Sequence, residues 1–343
     1  MKDVEFLALL VHRGRLGREE AQRLVPALKG GAPLDELLGR AKGWTPEQVA
    51  ELRRSRCGEI PEIPGYRIAG RLGTGGTADV FRAIEEKSRR TLALKVLKPE
   101  ATLHAPTRKA FIAEARLLER LTHPGLVKGL GVARAGNLFF ARMEFLDGHT
   151  VLEELEERGG LPEGEALEVA LATAEVLGYL QAEGVVHRDV KPGNIMRTKD
   201  GRTVLIDLGF AAAEDAASDA ESAVGTVAYL SPEQACGGAS ADTRSDIYSL
   251  GISLFHITLG KLPFASSDDR EVLRMQVMET LCSPELKSRG ISPHLHYFIE
   301  KMVAKEAGHR YQSWAELIAD VRAQVDGRAD LDLGRPGRRR SRR

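Results

Sequence analysis

Apolar positions change their spacing twice along the 343 residues, and the changes divide the chain. From residue 1 to about 56 they recur at helical intervals. This segment carries a gapless internal echo. Leu9-Leu10 with Gly17-Arg18-Glu19-Glu20-Ala21 and Leu24 realigns on Leu37-Leu38 with Thr45-Pro46-Glu47-Gln48-Val49 and Leu52. Each copy predicts a short helix, a turn and a second helix. Thr45, Pro46 and Gln48 have the residue types of an N-cap, a first helical position and a capping box. Leu16 and Trp44 hold matching places and are expected to pack between helices. No catalytic constellation appears here, so residues 1–56 read as a small all-α module for packing or partner binding. Residues 57–65 contain Pro61, Pro64 and Gly65 and read as a linker that stops the helical pattern.

At Tyr66 the period drops to two. Residues 66–72 and 79–83 predict a hairpin around Gly73-Thr74-Gly75-Gly76-Thr77-Ala78, and 91–97 predicts a third strand. A helix follows at 107–121, with Phe111, Ala115, Leu118 and Leu121 on its inner stripe. Leu138 to Phe145 is strand-like, and Asp147-Gly148 turns the chain into mostly helical sequence. Stripes containing Leu155, Leu167, Ala170, Ala174 and Leu177 mark two helices, and residues 246–259 form a strongly apolar one. Between them, 203–207 predicts a strand ending in Asp207. Ala211 to Val224 is rich in Ala, Ser, Asp and Glu without apolar period and is expected to be a mobile loop. The domain is expected to end at 326. Residues 327–343, with six arginines among the last nine, are expected to be a disordered tail.

Composition narrows the function classes. Lys plus Arg and Asp plus Glu are 49 each, so the overall charge points to no nucleic-acid partner. Cys57, Cys236 and Cys282 form no CxxC pair and read as reduced thiols. No signal-peptide pattern and no apolar run near the roughly 20 residues of a membrane helix is present. A cytoplasmic location is therefore expected.

The chemistry concentrates in His187-Arg188-Asp189-Val190-Lys191-Pro192-Gly193-Asn194. Asp189 can take a proton from a hydroxyl, Lys191 can neutralise a phosphate oxygen, and the amide oxygen of Asn194 can hold a metal ion. Phosphoryl transfer needs these functions close together, because its catalysis is mostly positioning and charge stabilisation. Elsewhere single signals are weaker. A glycine-rich hairpin tip alone is most simply a flexible turn. Lys95 interrupts an apolar strand and must pair or lose its charge. Glu114 lies beside its helix stripe, where an exposed carboxylate is the ordinary fate. His294 and His296 have no metal-ligand spacing.

The ordered set resembles the eukaryotic-like Ser/Thr protein kinase family of bacterial type, over about residues 66–320. Gly73 to Val80 is similar to its glycine-rich loop, with Ala78 in place of the third glycine. Ala93-Leu94-Lys95 is similar to the strand of the phosphate-binding lysine, Glu114 to its helix partner, and His187 to Asn194 to the catalytic loop. Asp207-Leu208-Gly209 stands for Asp-Phe-Gly, and Ser231-Pro232-Glu233 for Ala-Pro-Glu. Arg310 resembles the arginine that pairs with that glutamate.

The resemblance implies an α+β, bilobal protein-kinase fold. An antiparallel sheet lobe with one packed helix would occupy 66–146, and a mainly helical lobe 147–326. It implies transfer of the ATP γ-phosphate to Ser/Thr hydroxyls of protein substrates, with autophosphorylation. Asp189, Lys191, Lys95 and Glu114 would be catalytic. Asn194 and Asp207 would hold Mg²⁺, with Mn²⁺ as a substitute. ATP would meet Leu72, Gly73, Thr74, Gly75, Gly76, Thr77, Ala78, Val80, Ala93, Lys95 and Met143. It would also meet the hinge residues Glu144 to Leu146, and Met196. Lys191-Pro192 and Thr226 fit the Ser/Thr pattern. Arg188 implies control by a phosphate on the following loop, with Ser218 and Ser222 as acceptors, although Glu214, Asp215, Asp219 and Glu221 already supply negative charge there. A regulatory partner or a dimer contact is expected through residues 1–56. The competing reading is a kinase-shaped scaffold with little catalysis, which the presence of Lys95, Asp189 and Asp207 argues against.

Overall fold

In the computed structural model the described residues are 3–12, 16–49, 60–209, 227–237, 241–281 and 291–333. The chain divides into two compact units, residues 1–71 with 82–90 and residues 72–81 with 91–343.

The first unit begins with α1 (Asp3–His12), α2 (Arg18–Lys29) and α3 (Leu34–Lys42), and the chain is helical again over residues 46–49. Phe6, Leu7, Leu10, Leu16, Ala21, Leu34, Leu38 and Val49 form its core, with Trp44 packed against it. The caps are written in the local sequence. Gln48 Oε1 accepts from Thr45 N at 2.8 Å while Thr45 Oγ1 accepts from Gln48 N at 3.2 Å. Glu20 Oε2 accepts from Gly17 N at 2.9 Å at the matching place in the other copy. These three bonds satisfy donors that a helix start leaves open.

A five-stranded sheet follows, in the order β1-β2-β3-β5-β4. Its strands are β1 (Tyr66–Thr74), β2 (Ala78–Glu85), β3 (Thr91–Leu97), β4 (Gly129–Ala135) and β5 (Leu138–Glu144). β5 pairs antiparallel with both β3 and β4, and places Ala141 opposite Lys95 and Met143 opposite Ala93. After the short α4 (Pro99–Leu103) comes α5 (Ala105–Arg120). Phe111 and Ala115 of α5 pack with Ala78, Leu97 and Ala141 of the sheet. β4 is an element the apolar pattern did not predict. Two glycines, Gly129 and Gly131, and a register shift between Gly129 and Val132 hide the alternation. Gly129 is required where it stands, because a Cβ there would lie 2.6 Å from the backbone of Leu118.

The chain then enters the mainly helical lobe through β6 (Gly148–Thr150), which joins β7 (Ile195–Thr198) and β8 (Thr203–Leu205) in a small antiparallel sheet. Asp147-Gly148 is therefore the entry to a strand as well as a turn. Only glycine fits at 148, since a Cβ would lie 2.1 Å from Arg197 O. The helices are α6 (Val151–Arg158), α7 (Glu163–Ala182), α8 (Pro232–Ala235), α9 (Thr243–Leu259), α10 (Asp269–Met278), α11 (Pro293–Met302) and α12 (Trp314–Leu333). α9 is buried on all sides. Its serines have partners inside and outside the helix: Ser249 Oγ lies within bonding distance of Ser245 O and Tyr229 O, Ser253 Oγ donates to Ser249 O, and Ser245 Oγ donates to Glu233 Oε1.

The fold is α+β, as the resemblance implies: an antiparallel sheet lobe with a packed helix, then a mainly helical lobe, preceded by helices. One boundary is corrected. α12 continues past residue 326 to Leu333, so residues 327–333 are helical where a disordered tail was expected. Gly327 and the aspartates weaken helix propensity locally, and a helix already started propagates through them at small cost per residue. Residues 334–343 lie outside the described residues, as does the expected mobile loop over 211–224. No helix among the described residues is long and apolar enough to cross a membrane.

Candidate active site

Three segments distant in sequence converge on Lys95. β3 presents it, and its ammonium donates to Glu114 Oε1 of α5 at 2.8 Å. It also donates to Asp207 Oδ1 at 3.0 Å and Oδ2 at 3.1 Å, in the segment after β8. Their side chains are 16%, 12% and 32% exposed, so charge interactions here are only partly screened by water. Burial works to lower the pKa of Lys95, and the carboxylates of Asp207 and Glu114 overturn that and hold it above the usual lysine range. For Asp207, burial pushes upward and the Lys95 charge prevails, so it lies below the usual carboxylate range. Glu114 goes the other way: burial and the adjacent Asp207 charge push it up to about 8. One cation serves two carboxyls, and the excess negative charge falls on Glu114.

The loop from His187 to Asn194 is fixed from beneath by α9. Asp246, 3% exposed, accepts from His187 N at 2.8 Å and from Arg188 N at 2.7 Å. Arg188 sits at φ +67°, a left-handed conformation that costs roughly 1–2 kcal/mol for a residue with a side chain. His187 is fully buried. Its Nε2 lies 2.5 Å from Asp207 O and its Nδ1 accepts from Asp189 N at 3.2 Å. A carbonyl can only accept, so the proton is on Nε2 and the imidazole joins the Asp207 segment to the catalytic loop. Lys191 Nζ lies 2.8 Å from Asp189 Oδ2. Asn194 Nδ2 donates to Asp189 O at 2.8 Å and to Asp189 Oδ2 at 2.9 Å. These bonds leave the acid oriented between a cation and an amide donor. Gly209, at φ +54°, allows the close approach of the two acid-bearing segments. A Cβ there would lie 2.7 Å from Cβ of Asp189.

The glycine-rich tip joins β1 to β2, with Gly75 N donating to Ala78 O at 2.8 Å. Gly73 to Gly76 are exposed, Thr77 is half-buried and Ala78 is buried. Ala93, Met143 and Leu146 are buried in the main core cluster, with Val80 and Met196 packed against it. Of these, Ala93 and Met143 stand opposite each other on β3 and β5. Leu72 is 46% exposed. Glu144, in the hinge, is already engaged: its N–H donates to Lys128 O at 3.0 Å and its Oε1 accepts from Lys128 N at 2.9 Å.

Glu233 and Arg310 form the expected ion pair at 2.7 and 2.9 Å. Arg310 is 2% exposed and also donates to Ala304 O, Arg244 O and Lys305 O. All five of its N–H groups are used. Burial would raise the Glu233 carboxyl, but Arg310 and the hydroxyl of Ser245 hold it down at about 2. Ser218, Ser222 and Thr226 lie outside the described residues.

Sequence patterns alone missed three supporting groups. Asp246 has a signal, since it is an acid inside an otherwise apolar helix. Lys98 Nζ donates to Gly75 O at 2.6 Å and steadies the glycine tip, which nothing in its neighbourhood of sequence announces. Gln234 Nε2 donates to Arg188 O at 3.1 Å across the fold.

Residues 66–320 match the sequence model described as protein kinase domain. The chain is 35% identical over 263 residues to the serine/threonine-protein kinase PknB of Mycobacterium leprae, covering 75% of this chain and 42% of that one. It is 33% identical over 264 residues to PknB of Mycobacterium tuberculosis, covering 75% and 42%. To a probable serine/threonine-protein kinase of Clostridium perfringens it is 32% identical over 258 residues, covering 75% and 38%. The match thus spans about two-fifths of the length of these relatives.

Proposed function

The chain belongs to the protein kinase family, and we propose that it transfers the γ-phosphate of ATP to serine and threonine hydroxyls of proteins. The observation that carries this is the convergence of Lys95, Glu114 and Asp207 beside the oriented Asp189. Family members work with ATP and Mg²⁺. ATP is the substrate, and its adenine would lie among Val80, Ala93, Met143, Leu146 and Met196, with Leu72 covering it. Gly73 to Ala78 would cover the phosphates.

The donor set suits a hard cation. Asp207 offers carboxylate oxygens, and Asn194 has its amide nitrogen committed to Asp189, which leaves Oδ1 as its atom for a cation. Bound there, Mg²⁺ would offset negative charge on the phosphate oxygens. Lys95 would hold the α- and β-phosphates, with Glu114 fixing its direction. Asp189 would orient the acceptor hydroxyl and take its proton, while Lys191 would neutralise charge on the transferring group. Arg188 would meet a phosphate on Ser218 or Ser222, unless the acids of that loop already serve. Arg310 would keep Glu233 and the substrate groove in place. Residues 1–56 would bind a regulatory partner or a second copy of the chain. We place the protein in the cytoplasm, with protein substrates and no nucleic-acid partner.

The test is incubation of the wild type and Asp189→Asn with ATP, Mg²⁺ and a basic protein substrate, followed by mass spectrometry of phosphoserine and phosphothreonine. Transfer is expected from the wild type alone. Equal turnover by both proteins would rule out this chemistry.

A further inference from the structure

Ser231 and Gln234 form a capping box at the start of α8. Gln234 Oε1 accepts from Ser231 N at 3.2 Å and from Ser231 Oγ at 3.0 Å, while Ser231 Oγ lies 3.4 Å from Gln234 N. A glutamate would serve that box as well as a glutamine, because only the oxygen is used. The other end of the amide has a separate partner, the carbonyl of Arg188 at 3.1 Å. The two bonds agree on which way the amide faces, since its oxygen meets a donor and its nitrogen an acceptor.

That carbonyl belongs to the peptide that joins Arg188 to Asp189. The nitrogen of the same peptide donates to His187 Nδ1 at 3.2 Å. The peptide plane is thus held at both polar atoms, and it follows a residue at φ +67°. A rotation of this plane would re-aim the Asp189 side chain. We infer that Gln234 is a positioning residue for Asp189, acting through the Arg188 carbonyl, and that the amide is required for this second bond and not for the cap. The inference rests on the reading of Asp189 as the acid that receives the hydroxyl proton. It couples the catalytic loop to the helix that carries Glu233, so the substrate side of the site and the acid are held by neighbouring side chains.

The deciding variant is Gln234→Glu, which keeps the cap oxygen and replaces the donor by an acceptor. Its kcat is expected to fall about tenfold, with KM for ATP held within about twofold, as follows from leaving one polar group without its partner. Its melting temperature should fall by only a few degrees, because the cap is kept. Gln234→Met removes the donor without adding charge and should show the same loss in kcat, with some loss of melting temperature from the lost cap. A kcat within about twofold of wild type in both variants would overturn the inference, as would a kcat loss that only tracks the melting temperature. A crystal structure of Gln234→Glu gives a readout that needs no activity. A turned Arg188–Asp189 peptide supports the positioning role, and an unchanged peptide refutes it, whether or not the wild type proves to be a phosphotransferase.

Discussion

Arg310 and Lys95 are both cations held among carboxylates in the second unit, and their surroundings treat them differently. Arg310 faces one acid, Glu233, and every N–H it owns has an acceptor. Lys95 faces two acids, Glu114 and Asp207, and cannot neutralise both. In the first cluster charge and hydrogen bonds are matched, so nothing is gained by moving. In the second a carboxyl is left in excess, Glu114 is pushed up to about 8, and Asp207 shares its oxygens with a lysine. A matched cluster holds structure, whereas an unmatched one with a carboxyl in excess is a site that a further cation would complete.

Four experiments would break or sharpen this contrast. The largest effect is expected from Arg310→Met, which strands Glu233 inside the fold. Stability should drop by about 3–5 kcal/mol in chemical denaturation, and a drop below about 1 kcal/mol would show that the pair is not structural.

Acid comes next. Glu233 is held at about 2, below the 4.5 of the free side chain, so its contribution is present above 4.5 and is lost as pH falls toward 2. The full span is about 3.5 kcal/mol. Wild type should therefore lose stability relative to Glu233→Gln between pH 4.5 and 2, and parallel curves would contradict the matched pair. Third, Lys95→Met should lower phosphoryl transfer about 100-fold or more through loss of a preorganised charge. Its melting temperature should change far less than that of Arg310→Met, because Glu114 can keep its proton. The smallest effect belongs to Glu114→Gln, which keeps an oxygen near Lys95 but can never ionise. A fall of about tenfold in kcat/KM is expected, and no fall would show that Lys95 needs only Asp207.

Much of this was legible from the chain alone, for reasons that differ by residue. His187 to Asn194 are contiguous, so their chemistry could be read without a fold. The glycine tip lies beside strands whose alternation is plain, and Lys95 stands out in an apolar run. The pair of Glu233 and Arg310 was expected from resemblance, not from spacing. β4 was not legible, since Gly129 serves a close approach to Leu118 that has no trace in local pattern. The helical extension to Leu333 was hidden by a glycine and aspartates that signal a stop.

The sequence by itself determined the residue types and the local periods. These fix which segments become helix or strand, and they fix the order of the motifs, because both depend on interactions within a few residues. The tertiary structure alone decided which carboxyls share Lys95, from positions 19 and 112 residues away. It also decided that Asp246 and Gln234 reach the two sides of the strained Arg188. Such contacts join groups brought within hydrogen-bond distance only by packing. Their geometry, and the burial that gives it strength, exist only once the chain has folded.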